Sequence, residues 1–395
     1  MLTDLEVQNY RSLQHVVVPK LGRVNLIVGK NNSGKSTVLE SLRVLAKNGN
    51  PALLDELIIE HDEYFSSQTE GGAALMDEDQ GLFALRNLFH GRNLPDAGTG
   101  SIYIGTTDKS EYVRVDHRLF TYETVEVKDE QGETMVIRRR KIHENGGGLF
   151  PEPLLQHALV VSSSRTERTQ LIDLSSREEF RRRPATYDAE RDTAISYVPT
   201  QFITPDRLAQ LWDTIALTDA EATVTKALMV IEPAVQGLAF VRRASTRSQY
   251  QYRVRRTTSE RSPIIKLSGV RTPLPLNSMG DGMSRVLQIV MSAFASRNGY
   301  FLIDEFENGL HYSIQQQVWE LIFRLAEELN SQVFATTHSW DCIKAFRDAA
   351  KASSESGVLF RLGRSVKKDD HHRLIATIFD EEALWKITQA DIEVR

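Results

Sequence analysis

Residues 29–36, Gly-Lys-Asn-Asn-Ser-Gly-Lys-Ser, fit the pattern G-x-x-x-x-G-K-[ST] in full. That pattern has a task only where a strand feeds it and a helix leaves it. The preceding "RVNLIVG" (23–29) is apolar and β-branched, as a strand buried on both faces would be. The following "KSTVLESLRVLA" (35–46) carries Val38, Leu39, Leu42 and Leu45 at helical spacing. A chance glycine-rich turn would not come with both flanks. The glycines Gly29 and Gly34 let the backbone fold tightly, so that successive N–H groups around Asn31, Asn32 and Ser33 point at phosphate oxygens. The helix dipole aims at the same place. Lys35 is expected to reach the β/γ phosphates, Ser36 to ligate Mg²⁺, and Thr37 to lie beside them.

A second constraint lies far downstream. In "YFLIDEFEN" (300–308) four apolar residues lead to Asp304 and Glu305, and a strand would carry them to the carboxyl edge of a sheet, where ligands of α/β folds bind. Successive strand residues point oppositely, so the two acids are expected to differ in task. Asp304 suits the metal side, and Glu305 suits the base that orients an attacking water. An acidic strand end at the surface is the plain alternative, outweighed here by the phosphate loop upstream. His338 closes the next strand, "SQVFATTHS" (331–339), and is read as a γ-phosphate sensor.

Strands alternating with helices over 280–350 predict a parallel, helix-covered sheet. Short helices are expected at "PALLDELII" and "GLFALRNLFHG", a loop at 69–81, a β meander over 101–142, a turn at "NGGG" (145–148) and a strand at 157–163. The polar stretch 164–193 reads as a loop or surface helix. Residues 205–216 and 219–235 read as helices, and "GLAFVRRASTRSQYQYRVRRTT" as a basic hairpin. The division expected is 1–50 and 195–395 as two parts of one core, with 51–194 inserted.

With 395 residues there is room for two domains, or for one with large insertions. A net charge of −5 does not advertise nucleic-acid binding for the whole molecule, leaving only local patches. The lone cysteine, Cys342, excludes an internal disulfide framework and fits a reducing, cytoplasmic setting. The N-terminus does not read as a signal peptide, and no apolar run approaches the ~18 residues of a membrane span.

"NYRS" (9–12), "GKNNSGKS", "SMGDG" (278–282), "LIDEFENGLH" and "ATTHS" stand in the order found in ABC-type ATPases of the SMC/Rad50/RecF branch. The chain most resembles stand-alone AAA-15/AAA-21 ATPases related to the OLD proteins. The resemblance covers about 1–50 and 195–395. It implies an α/β P-loop NTPase of ABC-ATPase head type, with a mixed sheet core, an antiparallel β subdomain and a helical insertion. It implies ATP and Mg²⁺ as cofactors. Arg11 would approach nucleotide, and Ser278, Gly280, Asp281 and Gly282 would form the signature motif. Glu307, Asn308, Gly309 and Leu310 would form the D-loop across a dimer interface. His338 would be the switch histidine, and Gln201 the Q-loop metal contact. "SMGDG" keeps only the serine and central glycine of L-S-G-G-Q. No acidic cluster like that of a Toprim nuclease follows His338; "KKDDHH" (367–372) reads as a solvated turn.

Three purposes fit this reading. One is a defence-type sensor that dimerises on ATP and controls a separate nuclease or toxin. Another is a head that binds DNA or RNA directly, which the arginines and tyrosines of 241–261, among them Tyr250, Tyr252, Arg253 and Arg255, would serve. For that stretch a hairpin with one solvated face is the plainer reading, with "RRRK" (138–141) and "RRRP" (181–184) adding to any basic surface. The third, a small-molecule kinase, would leave "SMGDG" and "ENGLH" without a task.

Overall fold

The computed structural model describes residues 1–63, 84–128, 134–143, 155–174, 191–242, 261–365 and 373–379. Strands β1 (Leu5–Tyr10) and β2 (Leu13–Val18) form a hairpin, and β3 (Val24–Val28) leads through the phosphate loop into α1 (Lys35–Ala46) and then α2 (Pro51–Glu60). Two 3₁₀ turns, Arg86–Leu88 and His90–Arg92, precede β4 (Ser101–Gly105), β5 (Tyr112–Lys128), β6 (Thr134–His143), β7 (Gln156–Ser163) and β8 (Thr166–Asp173). Then come β9 (Ile195–Val198), α3 (Pro205–Ile215), α4 (Asp219–Leu228), β10 (Val235–Arg242), β11 (Arg261–Leu267), β12 (Leu274–Pro275) and α5 (Asp281–Phe294). The chain continues through β13 (Tyr300–Ile303), α6 (Tyr312–Glu328), β14 (Gln332–Thr337), α7 (Trp340–Ala352), β15 (Gly357–Arg364) and β16 (Leu374–Phe379).

Six strands make the central sheet in the order β16-β15-β3-β14-β13-β9. All neighbours are parallel except β16, which runs antiparallel to β15. Every residue of β3, β13 and β14 is buried, as a sheet covered on both faces requires. Alternate residues serve two cores. Val24, Leu26, Val28, Phe301 and Ile303 pack with α3 to α7, whereas Ile27, Tyr300 and Leu302 pack with α1, α2 and the antiparallel sheet. β1 pairs directly with β4, so one seven-stranded antiparallel sheet joins the N-terminal hairpin to β4–β8. The boundary drawn at residue 50 therefore does not follow the sheet. β10, β11 and β12 form the small third sheet.

Most expected helices and strands fall where the periodicities put them; the helix expected at "GLFALRNLFHG" is instead the two 3₁₀ turns over its described part, and other differences follow. Residues 166–173 are strand β8 rather than loop or helix: despite the polar sequence, they pair with β7 and bury Ile172. The helix expected over 219–235 ends at Leu228, and the chain enters β10 at Val235. The strand before the acid pair stops at Ile303, so Asp304 and Glu305 lie just past it. Strands β15 and β16, not anticipated, extend the sheet beside β3. The loop at 69–81, "NGGG", "RRRP", "KKDDHH" and positions 243–260 of the basic hairpin lie outside the described residues. Among the described residues no helix is long and apolar enough to cross a membrane.

Candidate functional site

β3 delivers the phosphate loop to the carboxyl end of the central sheet, and glycine is required at two of its positions. A Cβ on Gly29, at φ 152°, would fall 2.5 Å from the Leu362 carbonyl oxygen; one on Gly34, at φ 85°, would fall 2.9 Å from the Leu13 side chain. Gly34 caps α1 without any side-chain hydrogen bond, so the first N–H groups of α1 keep the donor capacity that a phosphate would use. Lys35 Nζ is folded back, donating to the carbonyls of Gly29 (2.8 Å) and Lys30 (3.1 Å). Burial lowers the pKa of Lys35, and Asp304, Glu305 and Glu307 oppose that shift.

Asp304 is buried and ringed by hydroxyls. Ser36 Oγ donates to its carboxylate at 3.0 Å, Thr336 Oγ1 also donates, and the Tyr197 hydroxyl donates at 3.4 Å. Ser36 and Asp304 offer hard oxygen donors in contact, which fits Mg²⁺ with its remaining positions left to water and phosphate. Among the described residues no group of three or more His, Cys, Asp and Glu could hold a metal alone. Glu305 has a left-handed backbone, at φ 46°, just past the strand, and lines the same cavity as Asp304. Its N–H is tied to Thr336 Oγ1 at 2.8 Å. Beneath both acids, the buried guanidinium of Arg285 donates to the carbonyls of Pro199 (2.7 Å), Asp304 (2.7 Å) and Glu305 (2.9 Å). Burial brings its pKa down to about 10, against the pull of Asp304, Glu307 and Glu305, so it stays charged at neutral pH.

A cavity of about 810 Å³, in the range of a small-molecule site, is lined by Arg11, Asn31, Asn32, Ser33, Gly34, Lys35, Ser36, Thr37, Asp304 and Glu305 among others. The structure thus gathers most of the expected residues. Arg11 stands in the wall, but its guanidinium is committed. Nη1 donates to Glu63 at 3.0 Å, Nη2 donates to the Leu57 carbonyl at 3.2 Å, and Nε lies 2.9 Å from Glu40 without being aligned to donate. Thr37 Oγ1 lies 3.2 Å from Ser12 Oγ.

The other expected residues lie off this cavity. Ser278 Oγ donates to its own Pro275 carbonyl at 2.6 Å, and nothing lies within 4 Å of where a Cβ on Gly280 would stand. Gly282 packs against the D-loop, where a Cβ would come 3.2 Å from the Gly309 carbonyl oxygen. Asn308 donates to the Thr200 carbonyl at 2.6 Å. Gln201 is exposed and does not join Ser36 and Asp304. His338 is half-exposed, 3.0 Å from Glu307 and 4.0 Å from Glu305.

Sequence reasoning missed Arg285, Tyr197, Thr336, Glu40 and Glu63. A signal existed for Arg285: it is the one charged residue in the apolar run "MSRVLQIVMSAF". Nothing local marks Glu63 as a partner of Arg11, since 52 positions separate them.

Residues 1–85 match the family model described as an AAA ATPase domain, and residues 240–341 match one described as an AAA domain, putative AbiEii toxin, Type IV TA system. A Helicobacter pylori protein named ATP/GTP phosphatase is 20% identical over 395 residues, spanning 96% of this chain and 96% of its own length. An uncharacterized protein of Methanocaldococcus jannaschii is 31% identical over 86 residues, which are 22% of this chain and 75% of that protein. Among solved structures, an Smc head bound to the C-winged helix domain of ScpA covers 98% of this chain and 99% of its own, at 13% identity and a TM-score of 0.45. The SMC head domain from Thermotoga maritima covers 96% and 98%, at 13% identity and a TM-score of 0.40.

Proposed function

We propose that this chain, which matches AAA ATPase family models over residues 1–85 and 240–341, is an ABC-type P-loop ATPase of the AAA-15/AAA-21 group that hydrolyses ATP in a site completed by a second copy of itself. The observation that carries the hydrolytic part is the contact of Ser36 with Asp304 beside Lys35, with Glu305 turned into the same cavity. When nucleotide enters, Lys35 exchanges two backbone carbonyls for phosphate oxygens, and the uncapped N-terminus of α1 receives the same anion. Ser36 and Asp304 would hold Mg²⁺, which would supply charge neutralisation at the phosphates. Glu305 takes the proton of the attacking water. Arg285 and Thr336 keep the two acids apart by fixing their backbone.

The helix α5 supports the second copy's part. Helices α2, α3, α4, α6 and α7 are closed by side-chain caps from Asn50, Thr204, Thr218, His311 and Ser339. α1 and α5 have none, and each begins at a left-handed glycine. The chain's own phosphate loop explains α1. α5 faces open space at Gly280, outside the chain's own cavity, and an anion held by another copy would give its N–H groups a partner.

We further propose that this cycle controls a separate effector. The family description matched over 240–341 names a toxin of a toxin–antitoxin system, which fits a defence role. Phosphate release with ATP and with GTP tests the chemistry. Wild type should release phosphate, while Lys35→Ala should bind neither nucleotide. Hydrolysis persisting in Lys35→Ala would refute the assignment of the site.

A further inference from the structure

The ring of His338 stands closer to Glu307 than to the expected base: Nδ1 is 3.0 Å from Glu307 Oε1 and 4.0 Å from Glu305 Oε1. The same Glu307 oxygen accepts the backbone N–H of His338 at 3.0 Å. One carboxylate oxygen therefore accepts the main-chain N–H of residue 338 and stands against its imidazole.

Glu307 is itself held firmly. Phe306 before it is fully buried and stacks on Trp319 with ring centroids 3.9 Å apart; Leu310 after it is buried, and its N–H donates to the Glu307 carbonyl at 2.9 Å. The Glu307 side chain is only 12% exposed, and Oε2 is buried without a hydrogen-bond partner among the described residues. A solvated surface pair would hold a ring loosely. Here the carboxylate is shielded, and Nδ1, 3.0 Å from Oε1, can serve it only as N–H. Nε2 is then the ring atom left for any other partner, the arrangement by which a carboxylate behind an imidazole sets tautomer and aim.

We propose that Glu307 is the positioning residue of His338, fixing its Nδ1–H form so that Nε2 is the atom presented to the reacting end of the nucleotide. The proposal rests on the hydrolytic reading of the cavity, and it also gives the D-loop a physical link to the switch histidine.

The test uses the full chain labelled with ¹⁵N-histidine, without nucleotide and at a pH where the ring is neutral, with the His338 signals identified by their loss in His338→Gln. Wild type should show the Nδ1–H form. Glu307→Ala should convert the ring to the Nε2–H form that free imidazole prefers, and Glu307→Gln, which keeps a carbonyl acceptor, should restore the first. An Nε2–H ring in wild type, or an Nδ1–H ring surviving in Glu307→Ala, overturns the proposal. In steady-state hydrolysis Glu307→Ala should lower kcat at least about tenfold with KM changed less than about twofold, and it should cost nothing further in a His338→Ala background. Additive losses would contradict it. A wild type that releases no phosphate would refute the hydrolytic reading instead, and the tautomer would still decide whether Glu307 orients the ring.

Discussion

Arg285 shows how a residue away from the bound phosphates shapes the site. Its guanidinium donates to three carbonyls around the acid pair; Arg285→Leu would take that donor from those of Pro199 and Asp304, while the Glu305 carbonyl keeps the Asn308 N–H. At roughly 1–3 kcal/mol per orphaned group, the substitution should destabilise the fold by about 2 kcal/mol or more. Urea unfolding measures this, and an unchanged midpoint would show that the carbonyls find other donors. Lys35 behaves differently, because its ammonium is held by two loop carbonyls that nucleotide would replace. Lys35→Ala should abolish nucleotide binding by calorimetry while leaving the unfolding midpoint nearly in place. At this scale the sequence was most legible where a motif is contiguous. The phosphate loop could be read complete from eight residues, but the partners of Arg11 and Asp304 could not, because Glu63, Tyr197 and Thr336 meet them only through the fold.

Elements were legible in proportion to their periodicity. β3, α1 and β13 carry clean patterns because burial on defined faces leaves little freedom in composition. β8 was hidden because most of its residues are polar, and its strand character comes from pairing with β7. Glu305 lies past the strand on a left-handed backbone, which no local pattern announced. The antiparallel sheet carries a pH response of its own. His117 Nε2 and His157 Nδ1 lie 2.8 Å apart, and burial lowers both pKa values below the ordinary 6.5. The unfolded chain takes up these protons near 6.5, the folded pair only at lower pH, so their contribution is complete above about 6.5 and is lost as pH falls. His61 acts oppositely, because its bond to Glu40 raises its pKa; its contribution is complete below 6.5 and is lost as pH rises through the raised value. Urea midpoints at pH 7.5 and 5.5 should therefore fall less with acidification in His157→Phe than in wild type. Equal falls would remove the pair from the account.

At the scale of the whole molecule, the central sheet divides two cores, and its carboxyl edge holds the phosphate loop and Asp304, with Arg11 reaching the cavity from the β1–β2 hairpin. Residues 278–282 and 307–310 pack against one another through Gly282 and Gly309 but stay off the cavity. That separation, more than any single residue, motivates the proposal of a paired molecule. A partner effector should then follow the nucleotide state: capture of the same protein by Glu305→Gln and by Lys35→Ala alike would argue that the cycle does not control it.

The most direct test is the mass in solution of Glu305→Gln with ATP and Mg²⁺, measured by sedimentation beside Lys35→Ala. The expected result is a stable particle of twice the 44.7 kDa chain for Glu305→Gln, with nucleotide trapped and hydrolysis stalled, and a single chain for Lys35→Ala. A Glu305→Gln protein that stays a single chain and hydrolyses at the wild-type rate would contradict the paired site.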